Sequence, residues 1–194
     1  MFRWSATLSD GSVADSDFNG LAIDNVIIAF EWESSTTTTT GSSGDPHFFG
    51  YLGQKYDFMG QSYEIYNIIT SPYLQINSAF TPYYRTANQV VPTGTMLGAL
   101  GIKFYNHRIY ANSNSSVIVM DGQDVNMKSD WVVNYEHGIT ISNNPVNGRF
   151  ILTIETPDIS ISFIQKVYLV QGLEPQWHYD YKSKMLKVNE EFHG

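Results

Sequence analysis

Two dipeptides constrain the fold of this chain more than any other feature, Asn147-Gly148 and Asp121-Gly122. Each lies between short runs that alternate apolar and polar residues. Gly138-Ile-Thr-Ile-Ser142 and Arg149-Phe-Ile-Leu-Thr-Ile-Glu155 flank the first, and Ser116-Val-Ile-Val-Met120 and Gln123-Asp-Val-Asn-Met127 flank the second. Asn-Gly and Asp-Gly accept positive φ at both central positions of a type I′ turn, whose twist matches that of paired antiparallel strands. The spacing therefore predicts two hairpins. Ile159-Ser-Ile-Ser-Phe163 alternates with period two, and further strands are expected at Gly101 to Tyr105, Arg108 to Ala111, Trp131 to Tyr135 and Lys166 to Val170. No segment carries a sustained helical apolar stripe. The expected fold class is all-β, an antiparallel β-sandwich of hairpins with a short N-terminal β-hairpin segment.

Composition sets the outer limits. The 194 residues leave room for one ordinary domain and a small appendage, and with 42% apolar and only 15% charged residues the chain should fold. A net charge of -8 repels phosphate backbones and anionic bilayers, and the eleven Lys and Arg do not cluster, so nucleic acid is not an expected partner. No run approaches the roughly 18 apolar residues of a membrane span, so no membrane insertion is expected. Met1-Phe-Arg-Trp-Ser lacks the basic start and apolar run of a secretory signal, so a secreted protein of this sequence would be a fragment or a processed form. The absence of cysteine removes disulfides, thiolate zinc sites and cysteine nucleophiles together.

Small polar residues from Glu33 through five threonines to Gly44 mark a Ser/Thr/Gly linker over residues 34–44. It divides a segment of residues 1–33 from a main domain of residues 45–194.

The main domain begins Gly44-Asp-Pro-His-Phe-Phe-Gly-Tyr-Leu-Gly-Gln-Lys-Tyr-Asp-Phe-Met-Gly60. This run resembles the opening of a von Willebrand factor type D domain, with the family's positions falling on Gly44, Asp45, Pro46, His47, Phe48, Gly53, Tyr56, Asp57, Phe58 and Gly60. Leu97-Gly-Ala-Leu-Gly-Ile-Lys-Phe-Tyr-Asn-His-Arg-Ile-Tyr110 is similar to the middle strands of cysteine-poor members, and the resemblance covers about residues 44 to 175. It implies a cysteine-free, extracellular or cell-surface structural and adhesive module, non-catalytic, that associates with itself or with other extracellular proteins. Ser62 stands where vertebrate members carry their first cysteine, and the family's closing glycine- and cysteine-rich loop is reduced to Val170-Gln-Gly-Leu-Glu-Pro175. The family's calcium ligands and its disulfide-linked multimers are therefore not carried over. Phe2-Arg-Trp-Ser and Asp17-Phe-Asn-Gly-Leu-Ala-Ile-Asp-Asn-Val-Ile-Ile28 are similar to the last two strands of a reelin-type jelly roll, an incomplete domain whose missing strands come from a longer precursor, from a partner chain that adds strands, or from the main domain folding back.

Asp45-Pro46 is the bond with chemistry in it. The Asp45 carboxylate can attack its own main-chain carbonyl carbon, expelling the Pro46 nitrogen as a protonated amine and leaving a cyclic anhydride. Family members cleave themselves at this run, and in the resembling heavy chains of inter-alpha-trypsin inhibitor the new aspartyl end is esterified to a glycosaminoglycan. By that resemblance Asp45 is the nucleophile and acyl donor, and His47 moves the proton. The alternative is that Gly44 and Pro46 shape the approach to the first strand while His47 packs or caps a turn.

Asp15-Ser-Asp-Phe-Asn-Gly20 matches the front half of a calcium loop, but its twelfth position is Val26, not a bidentate glutamate. A weak calcium site of Asp15, Asp17 and Asn19 stands beside a plain polar hairpin loop, and no other cofactor is expected. Asn114-Ser115-Ser116 is a glycosylation sequon at an expected turn. Tyr73, Phe80, Tyr83 and Tyr84 pose two alternatives, a sugar-stacking platform of a carbohydrate-binding module or half-buried sheet packing. The five histidines show no metal-binding spacing, and no hydrolase or phosphate-loop motif is present.

Overall fold

The computed structural model describes residues 39–43, 47–49 and 55–186. Its described residues form an antiparallel all-β fold in which a long sheet curls over one core. The chain enters through three short strands, β1 (Thr39–Ser43), β2 (His47–Phe49) and β3 (Lys55–Asp57). Then come β4 (Ile65–Thr70), β5 (Leu74–Tyr83), β6 (Gly94–Phe104), β7 (His107–Asn112), β8 (Val117–Met120) and β9 (Gln123–Asn126). The return runs through β10 (Trp131–Asn134), a single 3-10 turn at Glu136–Gly138, β11 (Thr140–Asn143), β12 (Ile151–Glu155), β13 (Ile159–Tyr168) and β14 (Gln176–Met185). Among the described residues no helix is long and apolar enough to cross a membrane.

The two hairpin dipeptides behave as their chemistry requires. Asn147 and Gly148 have φ of 52° and 73°, and Asp121 and Gly122 have φ of 49° and 81°, the positive pairs of type I′ turns. Alternation then fixes which side faces in. In β13, Ile159, Ile161, Phe163 and Gln165 are buried while the residues between them are not, and β6 and β12 supply Leu100, Ile102, Phe104, Leu152 and Ile154 to the same core. Lys166 to Tyr168, expected as part of a separate strand reaching Val170, instead ends the continuous strand β13 that begins at Ile159, and Leu169 and Val170 lie beyond it.

Two arrays, β10 to β14 and β4 to β9, meet where Tyr179 of β14 pairs with Leu97 of β6. Side chains close this seam. The Ser113 hydroxyl donates to the Trp177 carbonyl at 3.0 Å, and Gln165 Nε2 donates to the Ser113 carbonyl at 2.6 Å. Ser113 and Gln165 are buried polar residues whose hydrogen bonds offset their loss of water.

The last residues of the expected linker that are described lie in a strand. Thr39–Ser43 forms β1, with Thr39 to Ser42 paired to Lys184 to Tyr181 of β14 and Gly41 to Ser43 paired to Phe49 to His47 of β2. Backbone hydrogen bonding on both sides orders a stretch of small polar residues. The N-terminal hairpin segment expected over residues 1–33 lies outside the described residues.

Candidate functional site

At one end of the sandwich the turns between consecutive strands converge, and their chemistry is aromatic. The β4–β5 turn presents Tyr73, the β6–β7 turn Tyr105, the β10–β11 turn Tyr135 and His137, and the β12–β13 turn Asp158. Tyr105 stacks on Tyr73 at a ring separation of 6.1 Å and lies 4.4 Å from the ring of His137. The Tyr73 hydroxyl donates to Asp158 Oδ2 at 2.6 Å. Burial, then that bond to a carboxylate, pushes the Tyr73 hydroxyl up to about 12. His107, just past the β6–β7 turn, lies 4.5 Å from Tyr135 and 5.1 Å from Phe104 ring to ring. They form a rim of two contact groups, Tyr73 with Tyr105 and His137, and Phe104 with His107 and Tyr135, linked through the β10–β11 turn that carries both Tyr135 and His137.

Tyr105 and His137 adopt φ of 46° and 61°, the left-handed region that costs a non-glycine residue about 1 kcal/mol or more. Two such residues in ring contact mark the turn end as a place where local backbone preference yields to tertiary packing.

The His107 ring meets Asp121 with Nδ1 2.7 Å from Oδ2, and the Arg108 N–H donates to Asp121 Oδ1 at 2.8 Å. Burial presses the Asp121 carboxyl upward, but the Arg108 N–H and the His107 ring outweigh it and hold that carboxyl below its ordinary range. This pair has the look of a general-base dyad. Among the described residues, however, no hydroxyl is hydrogen-bonded to His107 Nε2, so its role in the fold is to tie the β8–β9 turn to β7. No group of three or more metal-ligating side chains converges among the described residues.

The rim continues into β10, the last strand of one array. Its backbone pairs with β11 alone among the described residues. Tyr135 N–H donates to the Ile139 carbonyl, so by antiparallel alternation Val133 and Trp131 also bond toward β11, while the N–H and C=O groups of Val132 and Asn134 point away from it. Val132 is 64% exposed and Val133 37%. The strand carries no charge, and no bulge interrupts its register.

The other edges that are open among the described residues are protected. β4 has a register shift between Asn67 and Ile69, β9 carries Asp124, and β3 carries Asp57. Bulges and charges of this kind discourage another strand from pairing. Only the β10 edge, among these, has neither.

The sequence-predicted site residues are scattered. Asp45 and Pro46 fall in the connection between β1 and β2, outside the described residues, and His47 opens β2 opposite Ser43 and Asp57. Asp15, Asp17 and Asn19 of the calcium expectation also lie outside the described residues. Asn114 is exposed in the β7–β8 turn, where a glycan meets no steric obstacle from the core. The aromatic quartet is not brought together as a platform. Phe80 is fully buried, Tyr73 belongs to the turn rim, and Tyr83 tilts onto Tyr168 at 5.1 Å. Histidine spacing missed the rim because His107 and His137 act through ring contacts across turns, to which the Asp121-Gly122 signal was the available pointer. No protein-family model matches the sequence, and neither does any curated protein.

Proposed function

We propose that this chain is a non-catalytic, extracellular structural or adhesive module that assembles with further copies of itself through the β10 edge. The reading is supported by one observation above others: β10 combines exposed valines and outward backbone groups with none of the devices that protect the neighbouring edges. A second copy adding a strand would satisfy the Val132 and Asn134 backbone groups and remove the Val132 side chain from water. The adjoining rim of Tyr105, Tyr135 and His137 gives that contact the aromatic content typical of protein interfaces.

Sedimentation equilibrium over a wide concentration range tests this. The native chain should associate, and Val132→Lys and Val132→Pro should each shift it to monomer while leaving the far-ultraviolet spectrum unchanged. Proline at 132 removes an N–H that faces away from β11, so the internal ladder survives. A native chain that stays monomeric at every concentration contradicts the proposal, as do oligomers that both variants leave intact.

A second reading, single-turnover self-cleavage at Asp45-Pro46, has one structural observation in its favour. The bond lies between β1 and β2, which pair with each other and, through β1, with β14. A cut there leaves both new ends anchored in one sheet, so the chain can be severed without falling apart. Intact mass after mild acid incubation tests it, with fragments 1–45 and 46–194 expected and their absence in Asp45→Ala as the control.

A further inference from the structure

The outer face of the β5–β8 array carries a feature that self-association does not use. In the second half of β6 Leu100, Ile102 and Phe104 are buried, while Gly101 and Lys103 between them face solvent. Gly101 sits opposite Asn77 of β5 and Tyr110 of β7, and Lys103 sits opposite Gln75 and Arg108. These six residues line an open groove of about 380 Å³. That volume lies near the low end of small-ligand sites, which run from roughly 300 to 1,000 Å³.

Three properties of the groove point the same way. A Cβ at Gly101 would meet nothing within 4 Å, so the floor of the groove is bare backbone, in a strand where a glycine costs stability. Lys103 and Arg108 are directly opposed, an arrangement that destabilises a sheet, and neither forms an ion pair among the described residues. Such a pair is mildly unfavourable on an exposed sheet face, and an anion beside it relieves the repulsion. Tyr110 is 51% exposed at the wall of the groove, and Asn77 accepts from Asn67 Nδ2 at 2.9 Å through its carbonyl oxygen, which leaves its own NH2 group as a donor.

We propose that this groove binds an anionic saccharide, a sugar ring bearing a carboxylate or a sulfate. The ring lies over Gly101 with its apolar face against Tyr110, the anionic group sits between Lys103 and Arg108, and the amides of Gln75 and Asn77 take the hydroxyls. The floor favours a flat ring because it lacks a side chain, and the paired cations favour a charged ring over a neutral one. This inference is independent of the β10 edge, which belongs to the other array.

Calorimetric titration of the full chain with three probes tests it: a hyaluronan tetrasaccharide, which carries carboxylates alone, a heparin tetrasaccharide, which adds sulfates, and the neutral chitotetraose. At least one anionic probe should bind at least tenfold more tightly than the neutral one, and the better of the two identifies the anion. Lys103→Gln and Arg108→Gln should each weaken that binding about tenfold, as expected for loss of a hydrogen bond to a charged group. Gly101→Val should abolish it by filling the floor, with an unchanged or raised thermal midpoint as the sign of an intact fold. Absence of binding by both anionic probes overturns the proposal. So does binding that Gly101→Val leaves unchanged, or equal binding of an acidic peptide such as hexaglutamate.

Discussion

β14 and β10 are treated in opposite ways by the same fold. β14 is polar in sequence yet paired on both sides, with β13 along its length and with β1 and β6 sharing its other edge. It buries His178, Tyr179, Tyr181 and Ser183. β10 is apolar in sequence yet, among the described residues, paired on one side, and leaves Val132 and Val133 exposed. Sheet position, not hydropathy, decides which strand is inside. A strand with apolar residues outside and outward backbone groups is the one that the proposed self-association would cover.

The comparison breaks most visibly by attacking the layer that β14 completes. Phe163 of β13 is fully buried and touches the rings of Tyr179 and Tyr181. Phe163→Ala should cost about 3–5 kcal/mol in denaturant unfolding. Val132→Lys on β10 should change the same quantity by less than about 0.5 kcal/mol. Similar losses from both would mean that β10 is as enclosed as β14.

The anchoring of β1 on β14 gives the next effect. If Asp45-Pro46 is cut, the two fragments should elute together from a sizing column under native conditions and separate in denaturant, because β1 stays hydrogen-bonded to β14 and β2.

His178 sharpens the contrast through pH. Its burial outweighs the attraction of Asp180, 3.7 Å away, and lowers its proton affinity from the ordinary value near 6.5. The unfolded chain therefore takes up a proton as pH falls through 6.5 before the folded chain does. That contribution to stability is full above 6.5 and declines below it. The thermal midpoint should fall between pH 7 and pH 5, and His178→Phe, which keeps the stack on Tyr168, should flatten that slope. An unchanged slope would mean that His178 is not the group titrating.

The smallest effect is expected at β9. Asp124→Val removes the charge from that edge, and should raise association slightly without altering the fold.

How much of this was legible in the sequence follows from where each signal resides. β7 to β12 are written locally, in alternation bounded by Asp121-Gly122 and Asn147-Gly148, and the structure reproduces them within a residue or two. β14 was not legible because Gln176-Trp-His-Tyr-Asp-Tyr-Lys-Ser-Lys-Met185 reads as polar. Its inward set of Tyr179, Tyr181 and Ser183 has period two, but only the flanking strands make burial of those hydroxyls affordable. β5 was obscured by Pro82 near its end. The openness of β10 was invisible for a different reason, since the order of strands in a sheet is non-local and no window on Trp131 to Asn134 contains it. The turn rim was half legible: the turns were expected, whereas the contacts between Tyr105 and His137 or His107 and Asp121 arise only when the turns meet.

Amide hydrogen exchange at Val132 and Asn134, followed as protein concentration rises, tests the role of β10 most directly. The account predicts fast exchange at both amides in dilute solution and slowing as the chains associate, while Val133, bonded toward β11, stays protected throughout. Fast exchange at Val132 and Asn134 at every concentration, or protection already complete in the dilute monomer, would contradict it.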